Sequence, residues 1–230
     1  MKQLICSCCL SIIANFLFAQ TVSPQRESDF VLYWKMGDSS IKFVSLLHQK
    51  LEAVPNAGQP VWLLTQTYST DKATDADSTF FTPKKWQPLA YRTNIKSSAY
   101  REIVSFAPDS INVSVLYKDS LKQFRYAAGQ SYIQATTQEY FIGQLPLQMG
   151  YDTSFRTINA GLNYADINTT VQVLGKENLP VPGIGNIPCW KLRVGTGLRF
   201  SIQWYAESDG SLMLLEFTSR KGVFIKRRML

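Results

Sequence analysis

Histidine is almost missing from this chain: its 230 residues contain one, His48. A metal centre built on several imidazoles is therefore excluded. Any serine or cysteine nucleophile would have to share that one base. His48 lies in Leu46-Leu47-His48-Gln49-Lys50-Leu51, no nucleophile elbow occurs anywhere, and it reads as a strand residue. Cysteine is nearly as scarce. Cys6, Cys8 and Cys9 crowd the start, and Cys189 stands alone beyond them, so no internal disulfide can form after residue 9. Beside Trp190, Cys189 reads as a small buried hydrophobe rather than a thiol nucleophile. After the first twenty residues no apolar run approaches the roughly 20 residues a bilayer-spanning helix needs. Phosphate-binding loops are lacking too: Gly183-Ile184-Gly185 has no following helix and no Gly-Lys-Ser/Thr.

What is present is apolar and aromatic. Hydrophobic residues make up 45%, enough for a core in one large domain, and aromatics reach 13%. With many Val, Ile and Thr they favour strands. Lys2 precedes an apolar run over residues 4–18, closed by Leu17-Phe18-Ala19-Gln20. A positive start, a short apolar stretch and a small residue before a polar one describe a secretory signal peptide over residues 1–19, cleaved after Ala19. The early cysteines lie near the start of the run, where a lipidation cysteine would not sit. Residues 20–40 then read as a polar lead-in with one strand near 30–36, and 41–230 as a single domain. No transmembrane segment is expected in the mature chain.

The net charge is +7. Lys84-Lys85-Trp86, Tyr91-Arg92 and Phe124-Arg125-Tyr126 mix cations with aromatics as single-strand binders do, and Lys221, Lys226, Arg227 and Arg228 crowd the end. In an exported protein nucleic acid is not an expected partner. A solvated face guarding an edge strand, or contact with anionic headgroups, accounts for these charges.

Short segments of alternating polarity, punctuated by turns, predict an all-β sheet, sandwich or barrel. Ser208-Asp209-Gly210-Ser211 suits a two-residue hairpin turn, and Gly195-Thr196-Gly197 a second tight connection. Period-two alternation places Val113, Val115 and Tyr117 on one face of their strand. It does the same for Trp190, Leu192 and Val194, and for Phe200, Ile202 and Trp204. The spacing predicts one helix over 136–147, capped by Thr136 or Thr137 and stopped by Pro146. One helix covers little, so the sheet would close on itself or keep an apolar hollow. Asp71, Asp75 and Asp77 fall in a Ser/Thr/Lys stretch that reads as a solvated hairpin loop rather than as paired carboxylates for glycoside hydrolysis, and the Asp/Asn-and-Glu spacing of a calcium loop is lacking.

Trp62 to Tyr68, then Phe81-Thr82-Pro83-Lys84-Lys85-Trp86 with Tyr91-Arg92, form a recognisable series. So do Gln144-Leu145-Pro146-Leu147 with Gly150-Tyr151, Ile187-Pro188-Cys189-Trp190, and Gln203-Trp204-Tyr205. Over roughly residues 40–218 the chain resembles a domain family of unknown function exported by Gram-negative bacteria. That family is distantly similar to the carriers and receptors that ferry lipoproteins to the outer membrane. The resemblance implies a mainly β fold: a strongly curved antiparallel sheet, a half-open barrel, with one or a few short helices on its concave side. It also implies a hollow that holds acyl chains and brings no catalytic residues.

The expectation is thus a non-enzymatic envelope protein, periplasmic or attached to the outer membrane. It would bind a lipid or lipoprotein acyl chain in a hollow lined by Val113, Val115, Tyr117, Trp190, Leu192, Val194, Phe200, Ile202 and Trp204. No cofactor and no metal is expected. The alternative is a scaffold with a filled core that docks an envelope protein through its basic face. A hydrolase with an unrecognised site is the third and weakest reading.

Overall fold

The computed structural model describes residues 26–55, 59–129, 131–159 and 165–230. The expected signal peptide over 1–19 lies outside the described residues. Fifteen strands form one sheet. The first arm holds β1 (Arg26–Met36), β2 (Ile41–Val54), β3 (Val61–Ser69), β4 (Thr74–Phe81), β5 (Pro88–Ile95), β6 (Tyr100–Phe106), β7 (Ser110–Tyr117) and β8 (Ser120–Ala127). The second holds β9 (Ile133–Gln134), β10 (Asp152–Asn159), β11 (Ala165–Val181), β12 (Gly185–Thr196), β13 (Arg199–Ala206), β14 (Leu212–Ser219) and β15 (Gly222–Met229). The sheet runs from β8 back to β1, crosses to β15 and continues back to β9, without closing. All described pairings are antiparallel except β9 with β10. The strand expected near residues 30–36 begins at Arg26 and lies at the centre of the sheet, between β2 and β15.

The segment from β8 to β10 connects the two ends of the sheet and carries the only α-helix among the described residues, α1 (Gln138–Ile142), led in by a 3-10 turn over Ala135–Thr137. The helix is shorter than the 136–147 its spacing predicts. It ends at Gly143, three residues before Pro146, and neither threonine caps it with its side chain. Thr137 Oγ1 instead donates back to the Gln134 carbonyl at 2.9 Å. Five residues are too few for a self-sustaining helix, so α1 depends on what it packs against.

Three apolar clusters lie on the face of the sheet that meets this segment. Ile142 is fully buried among Phe30, Leu47, Val171, Leu192 and Tyr205. Tyr140 and Ile133 join Leu51, Leu64, Phe81 and Trp86. Tyr132 and Ile158 join Val104, Ile111, Val113 and Val115. Strands from both arms share these clusters. Trp86 is drawn into the second by the loop after β4, stacked 5.1 Å from Phe81 and edge-on to Phe141 of the helix at 5.9 Å.

The helix end is fitted backbone to backbone. The Ser208–Ser211 turn is wider than the two-residue hairpin its Asp-Gly predicts: Ala206 pairs with Ser211, and Gly210 N–H closes onto the Ala206 carbonyl at 2.9 Å. Gly210 takes φ +67°, a conformation that favours glycine. A Cβ on Gly143 would fall 2.1 Å from the Gly210 carbonyl oxygen. Gly143 has ordinary helical angles, so Gly143→Ala isolates this contact. It should cost about 1–3 kcal/mol in urea unfolding, as overpacking does. Gly37→Ala, with nothing within 4 Å of its added carbon, is the control and should lack that steric cost.

Candidate functional site

The register of the first arm builds an uncommon feature on the helix-side face. Ser28 pairs with Gln49, Gln49 with Gln66, Gln66 with Asp77, Asp77 with Thr93 and Thr93 with Glu102. Paired residues share a face, so six polar side chains form one row across β1 to β6. Beside it lies a mainly apolar row, Leu51, Leu64, Thr79, Tyr91 and Val104, in which the Thr79 hydroxyl is paired with that of Thr136. All members of the polar row except Thr93 are buried. Buried polar groups are nearly always hydrogen-bonded, yet Gln49 Nε2, Gln66 Oε1, Asp77 Oδ1 and Glu102 Oε1 have no partner within the protein.

Along the β4–β6 part of this row, Asp77, Thr93 and Glu102, the face opens into a cleft of about 600 Å³ that residues of β2 and β3 also line. Asp77 and Glu102 stand in its wall, only 9% and 4% exposed. Tyr68, Tyr91 and Tyr100 line it with them, Ile95 and Val44 supply apolar surface, and Asn159 of β10 reaches it from the other arm. Val44 is the extra residue of a bulge opposite Leu32 and Tyr33, which lets it share the cleft with its neighbour Ser45. Ser45 Oγ is buried and also lacks a partner. A second enclosure, beside Arg26, Gln49 and Tyr140, has about 20 Å³, room for a water rather than a ligand.

The electrostatics follow from burial. Desolvation pushes the Asp77 carboxyl up to about 7, against the attraction of Lys226 and a hydrogen bond from the Tyr68 hydroxyl. Burial likewise raises Glu102, opposed by the hydrogen bond that Tyr100 donates to its Oε2. The Tyr68 and Tyr91 phenols are driven far above their usual range, mainly by the same desolvation. Near neutral pH the cleft therefore holds one carboxyl, Asp77, that accepts or sheds a proton easily, and tyrosines that stay neutral.

The nine residues expected to line a hollow do not meet in one place. Val113 and Val115 are buried beside the cleft, and Leu192 and Val194 in the cluster under the helix, with Trp190 half-buried against it. Ile202 and Trp204 lie on the opposite face, packed with Cys189, Ala206 and Met213. Phe200 and Tyr117 are 36% and 46% exposed. The reason is parity. The β12–β13 loop is two residues long, so an even position faces an odd one: Trp190 meets Tyr205, Leu192 meets Gln203, and Lys191 meets Trp204. Tyr205 and Gln203, which alternate with Trp204 along β13, are the ones turned towards the helix, joined by a 2.7 Å hydrogen bond. On the other side Lys191 lies over Trp204 at 5.1 Å and Arg193 over Phe200 at 4.0 Å.

Asp77 and Glu102 escaped the sequence reading. The stretch taken as a solvated loop is shorter, turning over Thr70–Ala73. Asp75 and Asp77 belong to β4, and Asp77 is buried. The available signal was the period of two that runs Asp75, Asp77, Thr79, Phe81 into the core. His48 is half-exposed and hydrogen-bonded to Asp29 at 2.8 Å. Cys189 is buried as expected, its thiol pushed up to about 11 by desolvation.

Fold and site together define an open antiparallel β-sheet protein with a helix across one face and an acidic, tyrosine-lined cleft. The chain belongs to the family described as "Protein of unknown function (DUF3108)", whose model matches residues 30–221. The expected membership of an uncharacterised domain family therefore holds. No curated protein and no solved structure matches the chain, and the likeness to lipoprotein carriers draws no support from these comparisons. Among the described residues no helix is long and apolar enough to cross a membrane.

Proposed function

We propose that the protein is a non-enzymatic binding protein of the cell envelope that holds an amphiphilic, lipid-like molecule in the cleft along β2–β6. The cleft carries this reading: about 600 Å³ lies in the usual range of small-molecule sites, and it combines apolar surface with a few convergent polar groups. The sheet is best described as a half-open barrel with the helix on its concave side. Core clusters shared by β10 and β6–β7 support that curvature, as do register shifts in four of the antiparallel pairings. The ligand's apolar part would lie against Val44, Tyr91 and Ile95, with Val113 and Val115 as packing behind the wall. The export pattern of residues 1–19 supports a periplasmic or outer-membrane-associated location.

The competing reading, docking of an envelope protein, rests on the cation-covered aromatics of the opposite face, Lys191 over Trp204 and Arg193 over Phe200. Native mass spectrometry of protein purified from its own envelope separates the two. The binding reading expects an excess mass in the lipid range that organic extraction removes. A bare polypeptide mass, with no uptake from a total envelope lipid extract, would reject it in favour of docking.

A further inference from the structure

We infer that the ligand of this cleft presents a cationic ammonium group to Asp77 and Glu102. The inference rests on the binding reading above and names the chemistry of the ligand's polar end.

The geometry leads there in three steps. Asp77 and Glu102 lie in one row with Thr93 between them, so their backbones stand two strands apart, about 10 Å. Asp77 Oδ1 and Glu102 Oε1 are buried in the cleft wall without a partner in the protein, although Tyr68 and Tyr100 occupy the other side of each carboxyl. An ionised carboxylate only accepts hydrogen bonds, and taking it out of water is costly unless a cation or several donors compensate.

Which cation fits? Lys226 attracts Asp77, but its ammonium is already paired with Glu139. Among the described residues no group of three His, Cys, Asp or Glu is placed to hold a metal ion. What the two unpartnered oxygens lack is a positive charge carrying N–H donors. An alkylammonium has three N–H donors and a tail for the apolar surface at Val44 and Ile95. Tyrosine rings attract such a cation by their faces. A carboxylate or phosphate head would meet like charge, and a neutral alcohol would leave both carboxylates uncompensated.

The test is calorimetric titration of the full mature chain at pH 8 with octylammonium, octan-1-ol and octanoate, three probes with the same tail. Octylammonium is expected to bind at least about tenfold more tightly than octan-1-ol, the worth of one charge-assisted hydrogen bond. Octanoate is expected to bind most weakly. Glu102→Gln and Asp77→Asn should each erase about tenfold of the octylammonium affinity without weakening octan-1-ol, which no longer covers an uncompensated charge there; the retained alcohol binding also reports an intact cleft. If octan-1-ol matches octylammonium, or the variants weaken both alike, the ammonium inference fails while the binding reading stands. If none of the three probes binds, both fail.

Discussion

Lys226→Met is expected to cost about 3–5 kcal/mol in unfolding free energy, the usual effect of removing one partner from a buried ion pair. Lys226 stands in β15 at the middle of the sheet, opposite Leu32 of β1 and Leu215 of β14. Its side chain is 6% exposed and its ammonium meets Glu139 of α1. The ammonium also lies 4.4 Å from the Phe30 ring centroid. The pair bridges 87 residues of sequence and ties a five-residue helix to the sheet it covers. Methionine keeps the apolar stem and removes the charge, which strands Glu139 at 20% exposure. Adding Glu139→Gln should recover much of the loss, because the penalty lies in the orphaned carboxylate rather than in the missing attraction. Equilibrium denaturation of both variants decides. A single variant within about 1 kcal/mol of the parent, the worth of a surface pair, would show that the helix is held by packing alone.

Asp77→Asn should stabilise the ligand-free protein at pH 8 and change it little at pH 4. The folded-state pKa of Asp77 is raised to about 7 by burial, against about 3.9 for an unfolded aspartate. The folded state therefore holds the proton more tightly, and stability falls as pH rises from about 4 to about 7. At about 1.4 kcal/mol per unit the full effect is about 4 kcal/mol, and an open cleft reduces it to about 2–4. The groups facing Asp77 are Tyr68 on β3, Tyr91 on β5 and Lys226 on β15, and the two phenols, raised by burial, stay neutral throughout that window. Glu102, also raised, contributes in the same direction, so Glu102→Gln should flatten the remaining slope. The measurement is the melting temperature of parent and variant across pH 4–8. Parallel curves would refute a buried, uncompensated Asp77.

The β class was legible because the alternation is strong where one face is dry. The motif series around Trp62, Phe81 and Trp86 proved structural: these rings meet edge-on or stacked beside α1. What could not be read was the phase between strands. Each apolar stripe of β12 and β13 was correctly seen, yet a two-residue loop sends the two stripes to opposite faces. Only the register, set by Thr196 facing Arg199, reveals this. The same gap hid the site. Gln49, Gln66, Asp77 and Glu102 are scattered polar residues in the sequence and become one row only through four successive pairings. The short helix misled because Tyr140, Phe141, Leu145 and Leu147 are all apolar, and the chain reaches the last two in turns beyond Gly143.

The seam between β1 and β15 also sets an order of assembly. Among the described pairings every other one joins strands consecutive in the chain, so each arm can grow hairpin by hairpin. The seam brings Asp29 opposite Met229, and the entropy of closing so long a loop must be met before any of its contacts is rewarded. The wall bearing Asp77 and Glu102 belongs to the early, local arm. Asn159 comes from the other. A first arm formed ahead of the seam would hold the two carboxyls in water, and the union of the halves would confine them. A ligand that neutralises them would favour that union and draw the slowest step of folding forward.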